Sequence, residues 1–190
     1  MKLIAKAFEI ATEAHKNQLR KPCLTKPELI RPYILHPIQV SLLLYNHGFV
    51  DEKLHAAGLL HDVLEDCSEY SEERLLSELG DKETVSIVKE LTDADNGLKG
   101  KAKREAKIQR VVKTFSFNAR IVLAGDILAN IIDMKEFPAY EPSLGKAFVE
   151  SCKKLGVALS QNLCEDQVAI IRPFQQTIIN YAWIYNWRSI

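Results

Sequence analysis

Between Ala57 and Asp66 the chain reads Ala-Gly-Leu-Leu-His-Asp-Val-Leu-Glu-Asp, four ionisable side chains in an otherwise apolar stretch. Burying unpaired carboxylates costs several kcal/mol each, so such groups are normally paired or bound to a metal. At about 100° per residue, His61 and Glu65 share one helix face, as do Asp62 and Asp66, and all four project within about a third of the circumference. An imidazole nitrogen beside a carboxylate oxygen suits a hard or borderline divalent ion such as Mn2+, Fe2+, Mg2+ or Zn2+ in open coordination. Further ligands have to come from elsewhere in the chain.

Two residues are candidates for them. His36 sits at the start of a helix beside Pro37, a position where a lone histidine is more often a loop or capping residue. Asp126 lies inside the apolar run Ile121-Val-Leu-Ala-Gly-Asp-Ile-Leu-Ala-Asn130 and needs a partner there; Asn130, one turn on, shares its face.

His36, then His61-Asp62, then Asp126, resembles the spaced H…HD…D signature of HD-superfamily metal-dependent phosphohydrolases. Within that superfamily, Ala11-x-x-Ala-His15-x-x-Gln18-x-Arg20-Lys21, Pro32-Tyr-Ile-x-His-Pro37, His61-Asp-Val-Leu-Glu-Asp66, Leu91-Thr-Asp93 and Asp126-x-Leu-x-Asn130 resemble the RelA/SpoT-type (p)ppGpp hydrolase domains, the small stand-alone hydrolases above all. The motifs follow in order across about residues 4–134.

The resemblance implies an all-α HD-domain helical bundle in which His36, His61, Asp62 and Asp126 bind one Mn2+, or another divalent first-row ion. It implies that Glu65 and Asp66 position or deprotonate the attacking water, whose pKa a metal lowers. Arg20 and Lys21 match an Arg-Lys pair, the guanidinium suited to stacking on a purine and the ammonium to a phosphate. Asn130 matches an Asn beside the nucleotide sugar, although satisfying Asp126 would explain it nearly as well. Tyr33 would line the nucleotide pocket or simply pack. The basic run Leu98–Arg110 stands where the family places a basic segment near the pyrophosphate, and Lys101 and Arg104 are its candidates for contact; a solvent-facing charged helix is the ordinary alternative. His15 is expected in the core.

The implied reaction is hydrolysis of guanosine 3′,5′-bis(diphosphate), releasing pyrophosphate from the 3′ position. Its rivals are an HD phosphohydrolase acting on NADPH or a (deoxy)nucleotide phosphate, and a nucleotide-binding module without turnover. Three departures bear on the pocket: a longer loop from Pro22 to Arg31, Gly125 for a commoner Ala, and Asp133 near where a small hydroxyl residue is frequent.

These residues need a helical frame, and the chain supplies one. With 190 residues, 47% of them hydrophobic, a single domain with one sizeable core is expected. The 25 basic and 25 acidic side chains cancel, so no global field favours nucleic acid or an anionic membrane, and a small anionic nucleotide must be caught locally. No apolar run nears the roughly 20 residues of a membrane span, which leads to the expectation of a cytoplasmic protein. Four cysteines without a CxxC pair are expected to be reduced. Helical periodicity predicts a first helix with Ile4, Phe8, Ala11 and His15 on one stripe and a second from His36-Pro37 to Gly48. A third is capped by Asp51 and continues to about Asp66; Ser71 opens a fourth, which ends at Gly80. Val85, Val88 and Leu91 mark a fifth helix; a basic connection then leads into helices through Met134, followed by one over about Leu144–Leu163 and a last one beginning at Pro173. Trp183 and Trp187, one turn apart, would support a homo-oligomer if exposed.

Overall fold

The computed structural model describes residues 2–93, 97–98, 100–137 and 142–188, all of them in helices or connecting turns. Two isolated antiparallel bridges, Leu19 with Pro32 and Cys23 with Lys26, are the only extended pairings among the described residues. The helices are α1 (Lys2–Ala14), α2 (Leu35–Asn46), α3 (Glu52–Leu60), α4 (Val63–Asp66), α5 (Glu72–Leu79), α6 (Lys82–Leu91), α7 (Gly100–Lys113), α8 (Phe117–Glu136), α9 (Pro142–Ala158) and α10 (Glu165–Arg188). No helix is long and apolar enough to cross a membrane.

Local chemistry sets most boundaries. Side-chain oxygens of Asp51, Ser71, Asp81 and Ser116 accept hydrogen bonds from backbone N–H groups in the first turns of α3, α5, α6 and α8. Gly80 closes α5 at φ 77°, a left-handed conformation that costs a side-chain-bearing residue more.

α8 is the central element. Its buried residues run from Ala119 to Met134, and it packs against α2, α3, α6, α9 and α10. α2 crosses close to both α3 and α8 because each presents a glycine to it. A Cβ on Gly125 would lie 3.1 Å from Val40 Cγ1, and one on Gly58 3.3 Å from Leu44 Cδ1. That close approach brings one end of α2, with His36, against the segments carrying His61 and Asp126.

The structure corrects the sequence expectations in five places. The third helix does not continue to Asp66 but breaks at His61-Asp62, where Asp62 sits at φ −99°, ψ −5° between α3 and α4. The basic connection is itself helical, α7, and the helix expected over about Leu144–Leu163 is α9, which stops at Ala158. Pro173 lies inside α10 rather than at its start. Burial of Ile171, Phe174, Ile178 and Ala182 against α8 and α9 outweighs the missing amide bond. Finally, α1 buries Ala7, Ile10, Ala11 and Ala14, so Phe8 lies 43% exposed and the stripe is rotated from the expected one. Small alanines let α1 approach α3.

Arg120 ties the second half together. It is buried, with no carboxylate partner among the described residues, and donates to the carbonyls of Val112 (3.3 Å), Phe115 (3.2 Å), Leu159 (3.1 Å) and Gln161 (2.7 Å). These acceptors lie at the ends of α7 and α9 and in the turn before α8. Replacing Arg120 with Met would strand several of them and is expected to cost about 3 kcal/mol. For a chain of this size that lowers the thermal midpoint by roughly 6–12 °C, measurable by circular dichroism.

Candidate active site

Four predicted ligands from three parts of the fold converge. His36 comes from the first turn of α2, His61 and Asp62 from the break after α3, and Asp126 from the middle of α8. His36 Nε2 lies 3.1 Å from Asp126 Oδ1 and 3.8 Å from Asp62 Oδ2; His61 Nε2 lies 3.0 Å from Asp62 Oδ2 and 3.8 Å from Asp126 Oδ1. Ligating atoms of His36, His61 and Asp62 all fall within 4.8 Å of one another, the spacing of a shared cation. The helix break makes this arrangement: adjacent residues of a regular helix diverge by about 100°, whereas Asp62 in the bridge region turns back beside His61.

Two observations fit this cluster to a cation. His61 Nδ1 donates to the Gly58 carbonyl at 2.8 Å, so that whenever the ring is neutral its lone pair is on Nε2. That Nε2 is buried and has no hydrogen-bond partner, since Asp62 stands near it but out of line. A buried acceptor without a donor calls for a ligand. The electrostatics agree. Burial disfavours charge on Asp62, but the neighbouring His61 holds its carboxyl well below the usual range; Asp126 is also lowered despite burial, through His36 first. Burial holds His36 below its ordinary value, toward the neutral, ligating form. Burial opposes charge on His61, but the Asp62 carboxylate outweighs it and pushes the pKa up to about 9, so a cation binding at Nε2 would have to displace a proton there. Two ionised carboxylates and two imidazoles are a donor set suited to a divalent first-row ion.

The acidic pair divides. Tyr33 lies against His15, ring centroids 4.8 Å apart, and its hydroxyl reaches Asp62 Oδ2 at 2.7 Å and Asp66 Oδ2 at 3.2 Å. Asp66 thus faces the cluster, its carboxyl raised by burial and then by Asp62. Gln18 holds its backbone, donating to the Asp66 carbonyl at 2.9 Å. Glu65 turns the other way, against expectation, because the helix restarts at Val63. It accepts from the Asp93 N–H and from Lys103 Nζ, both at 3.2 Å. Asp93 gathers Lys103, Lys107 and Arg110 in turn, at 3.7, 3.6 and 2.5 Å. The basic segment therefore meets the site through α7 and Glu65. The side chains of Lys101 and Arg104, its predicted contacts, lie outside the described residues.

Beside the cluster a cavity of about 350 Å3 runs from Tyr33, Asp66 and Asn130 to Arg31, Phe137 and Phe148. Arg20 and Lys21, the candidates for substrate binding, line it. Asn130 fits both of its sequence readings: its amide donates to Asp126 Oδ1 at 2.5 Å, its oxygen accepts from Arg20 Nη2 at 3.2 Å, and it faces the cavity. Sequence reasoning missed Arg31, which stands across from Arg20 with Asp133 between them; only its place at the end of the long loop hinted at it. His15 is buried and paired with Gln18 Oε1 at 2.8 Å, as expected of a core histidine.

The four cysteines are free, and only Cys164 is exposed. Burial pushes the Cys67 thiol, behind Asp66, up to about 11, so little of it is thiolate at neutral pH. Brief iodoacetamide treatment at pH 7.5, read by peptide mass spectrometry, is expected to modify Cys164 and leave Cys67 untouched until the chain is unfolded.

An all-helical frame with two His and two Asp gathered beside a cavity of about 350 Å3 is a candidate site for a divalent cation and a small ligand. The particular family is shown by comparison: residues 7–136 match the HD domain family, and the chain belongs to it. It is 35% identical over 134 residues to guanosine-3′,5′-bis(diphosphate) 3′-pyrophosphohydrolase MESH1 of Xenopus tropicalis, covering 70% of each chain. It is 33% identical over 174 residues to a guanosine-3′,5′-bis(diphosphate) 3′-pyrophosphohydrolase of Borreliella burgdorferi, covering 87% of this chain but only 25% of that longer protein. The fold matches a solved metazoan orthologue of SpoT, described as hydrolysing ppGpp, with TM-score 0.72 and 24% identity, over 93% of this chain and 96% of that one.

Proposed function

We propose that this chain, as a single HD-type domain with additional C-terminal helices, hydrolyses guanosine 3′,5′-bis(diphosphate) and its 5′-triphosphate form, releasing pyrophosphate from the 3′ position. His36, His61, Asp62 and Asp126 would hold one Mn2+. The observation that carries this reading is the convergence of those four side chains around the partnerless His61 Nε2, beside a cavity of nucleotide size. The MESH1 relatives support the substrate.

A divalent ion bound there would supply a nucleophile at neutral pH by lowering the pKa of water, and would polarise the phosphoryl group. The chain's own residues do the rest. Asp66 accepts the proton that the attacking water gives up, and its raised pKa suits it to the task better than an unperturbed carboxylate. Tyr33 keeps Asp66 and Asp62 at a fixed separation by reaching both. Asn130 orients Asp126 and, through Arg20, links it to the nucleotide cavity. Arg20 offers a guanidinium face to the base, and Lys21 a charge to a phosphate. On the other side, Glu65 fastens α7 with its lysines where the departing pyrophosphate would need cations; Lys101 and Arg104 belong to that same helix.

The second reading, an HD phosphohydrolase acting on NADPH or another nucleotide phosphate, draws on one observation: Asp133 places a carboxylate in the cavity wall. Incubation of the purified protein with Mn2+ and each nucleotide in parallel, followed by phosphorus-31 NMR, decides between them. Pyrophosphate should appear from guanosine 3′,5′-bis(diphosphate). Orthophosphate from NADPH with no pyrophosphate from the guanosine compound would replace the first reading with the second. Saturable nucleotide binding without any turnover would reduce the protein to a binding module.

A further inference from the structure

The loop between Arg20 and Pro32 is pinched at its neck. The Arg20 N–H donates to the Arg31 carbonyl at 2.9 Å and the Tyr33 N–H to the Gln18 carbonyl at 2.9 Å, so Arg20 and Arg31 emerge side by side at one end of the cavity. Between them stands Asp133, from the last turns of α8. Its Oδ2 accepts from Arg20 Nε at 2.9 Å and Nη2 at 2.7 Å, and its Oδ1 from Arg31 Nη1 at 3.0 Å.

A guanidinium recognises phosphate through N–H bonds in its own plane, whereas its flat face binds aromatic rings. Here the in-plane donors that the two guanidiniums turn toward Asp133 are committed, about half of their ten N–H groups. Arg31 gives Nη1 to Asp133 and Nη2 to the Lys21 carbonyl at 3.4 Å, and its Nε is sealed from solvent. Arg20 gives Nε and Nη2 to Asp133, and Nη2 to Asn130 as well. Flat surfaces complete this end: the Arg31 guanidinium lies 4.1 Å from the Phe137 ring centroid, and Met134 and Phe148 line the wall. A phosphate entering here would shed its hydration and find few N–H donors to replace it.

We infer that Asp133 is a specificity-determining residue: by neutralising charge and taking the donors that Arg20 and Arg31 turn toward each other, it makes this end of the cavity favour an uncharged planar ring over a phosphate. Two guanidiniums that would otherwise form an anion clamp are converted into a stacking surface. The inference rests on the cavity being the nucleotide site, and it assigns the base to this end and every phosphate to the ends near Lys21, the His/Asp cluster and α7.

Calorimetric titration tests it without turnover. Guanosine and GDP, with adenosine and ADP alongside, are titrated into the Mn2+-supplemented wild type and into Asp133→Asn, Asp133→Ser and Asp133→Glu, each checked for an unchanged thermal midpoint. The readout is the ratio of the Kd of the nucleoside to that of its diphosphate. Release of the two guanidiniums should raise that ratio at least about tenfold in the Asn and Ser variants, the discrimination one charge-assisted hydrogen bond supplies. Asp133→Glu should hold it near the wild-type value. A smaller rise in both the Asn and Ser variants, an equal rise in the Glu variant, or a wild type that binds no nucleoside overturns the inference. Failure of the proposed reaction would show separately, as absent pyrophosphate release with the ratio still shifting.

Discussion

An Asp62→Asn variant is expected to turn over guanosine 3′,5′-bis(diphosphate) at least about 10³-fold more slowly than the parent, because a metal's stabilisation of the reacting phosphate is worth several kcal/mol and each 1.4 kcal/mol is a decade. The substitution preserves volume and leaves an oxygen to receive the Tyr33 hydroxyl. What it removes is one of the two negative charges that would bind a dication. Elemental analysis after gel filtration should show manganese in the parent and little in the variant, and chelation of the parent with EDTA should reproduce the loss until Mn2+ is restored. Circular dichroism should show both chains folded. If the variant keeps both its manganese and its turnover, Asp62 is not a ligand and the proposed centre falls.

Asp66→Asn should separate chemistry from cation binding. Asp66 faces the cluster through Tyr33 and, unlike Asp62 and Asp126, pairs with neither His36 nor His61 among the described residues, so its loss should leave manganese content unchanged. Removing a general base costs about 10²–10⁴-fold, and the loss should fall on kcat rather than KM. The same burial and nearby Asp62 charge that raise its pKa make it poised to take a proton. In the parent, kcat should fall on the acid side as Asp66 becomes protonated, and that limb should vanish in the variant. A variant that loses its manganese together with its activity would make Asp66 part of the cation site instead.

The gathering of the candidate ligands was legible because they are residue types that an apolar helix does not tolerate idly: His61, Asp62 and Asp126 stand among leucines and alanines. Capping chemistry marked the starts of α3 and α5, where Asp51 and Ser71 accept as expected. Periodicity failed where tertiary contacts decide. A helical wheel puts Glu65 beside His61, but the two-residue break at His61-Asp62 re-phases the helix, and Glu65 turns to Lys103. Pro173 looked like a helix start because its local cost is large, yet the packing of Phe174 and Ile178 overrides it. The Arg20–Asp133–Arg31 group was hidden for another reason: its members lie more than a hundred positions apart in part, and nothing in composition links a loop arginine to an acid near the end of α8.

The stretch beyond Pro142 gives the cavity one wall side chain, Phe148, and holds none of the proposed catalytic residues, yet it is not a passive tail. Arg120 draws the Leu159 and Gln161 carbonyls onto the same guanidinium that holds the end of α7. α7 in turn delivers Lys103 to Glu65. A cut before Leu159 would therefore slacken a strut whose far end stands at the phosphate side of the active site, and catalysis would register damage inflicted far along the chain from every proposed catalytic residue.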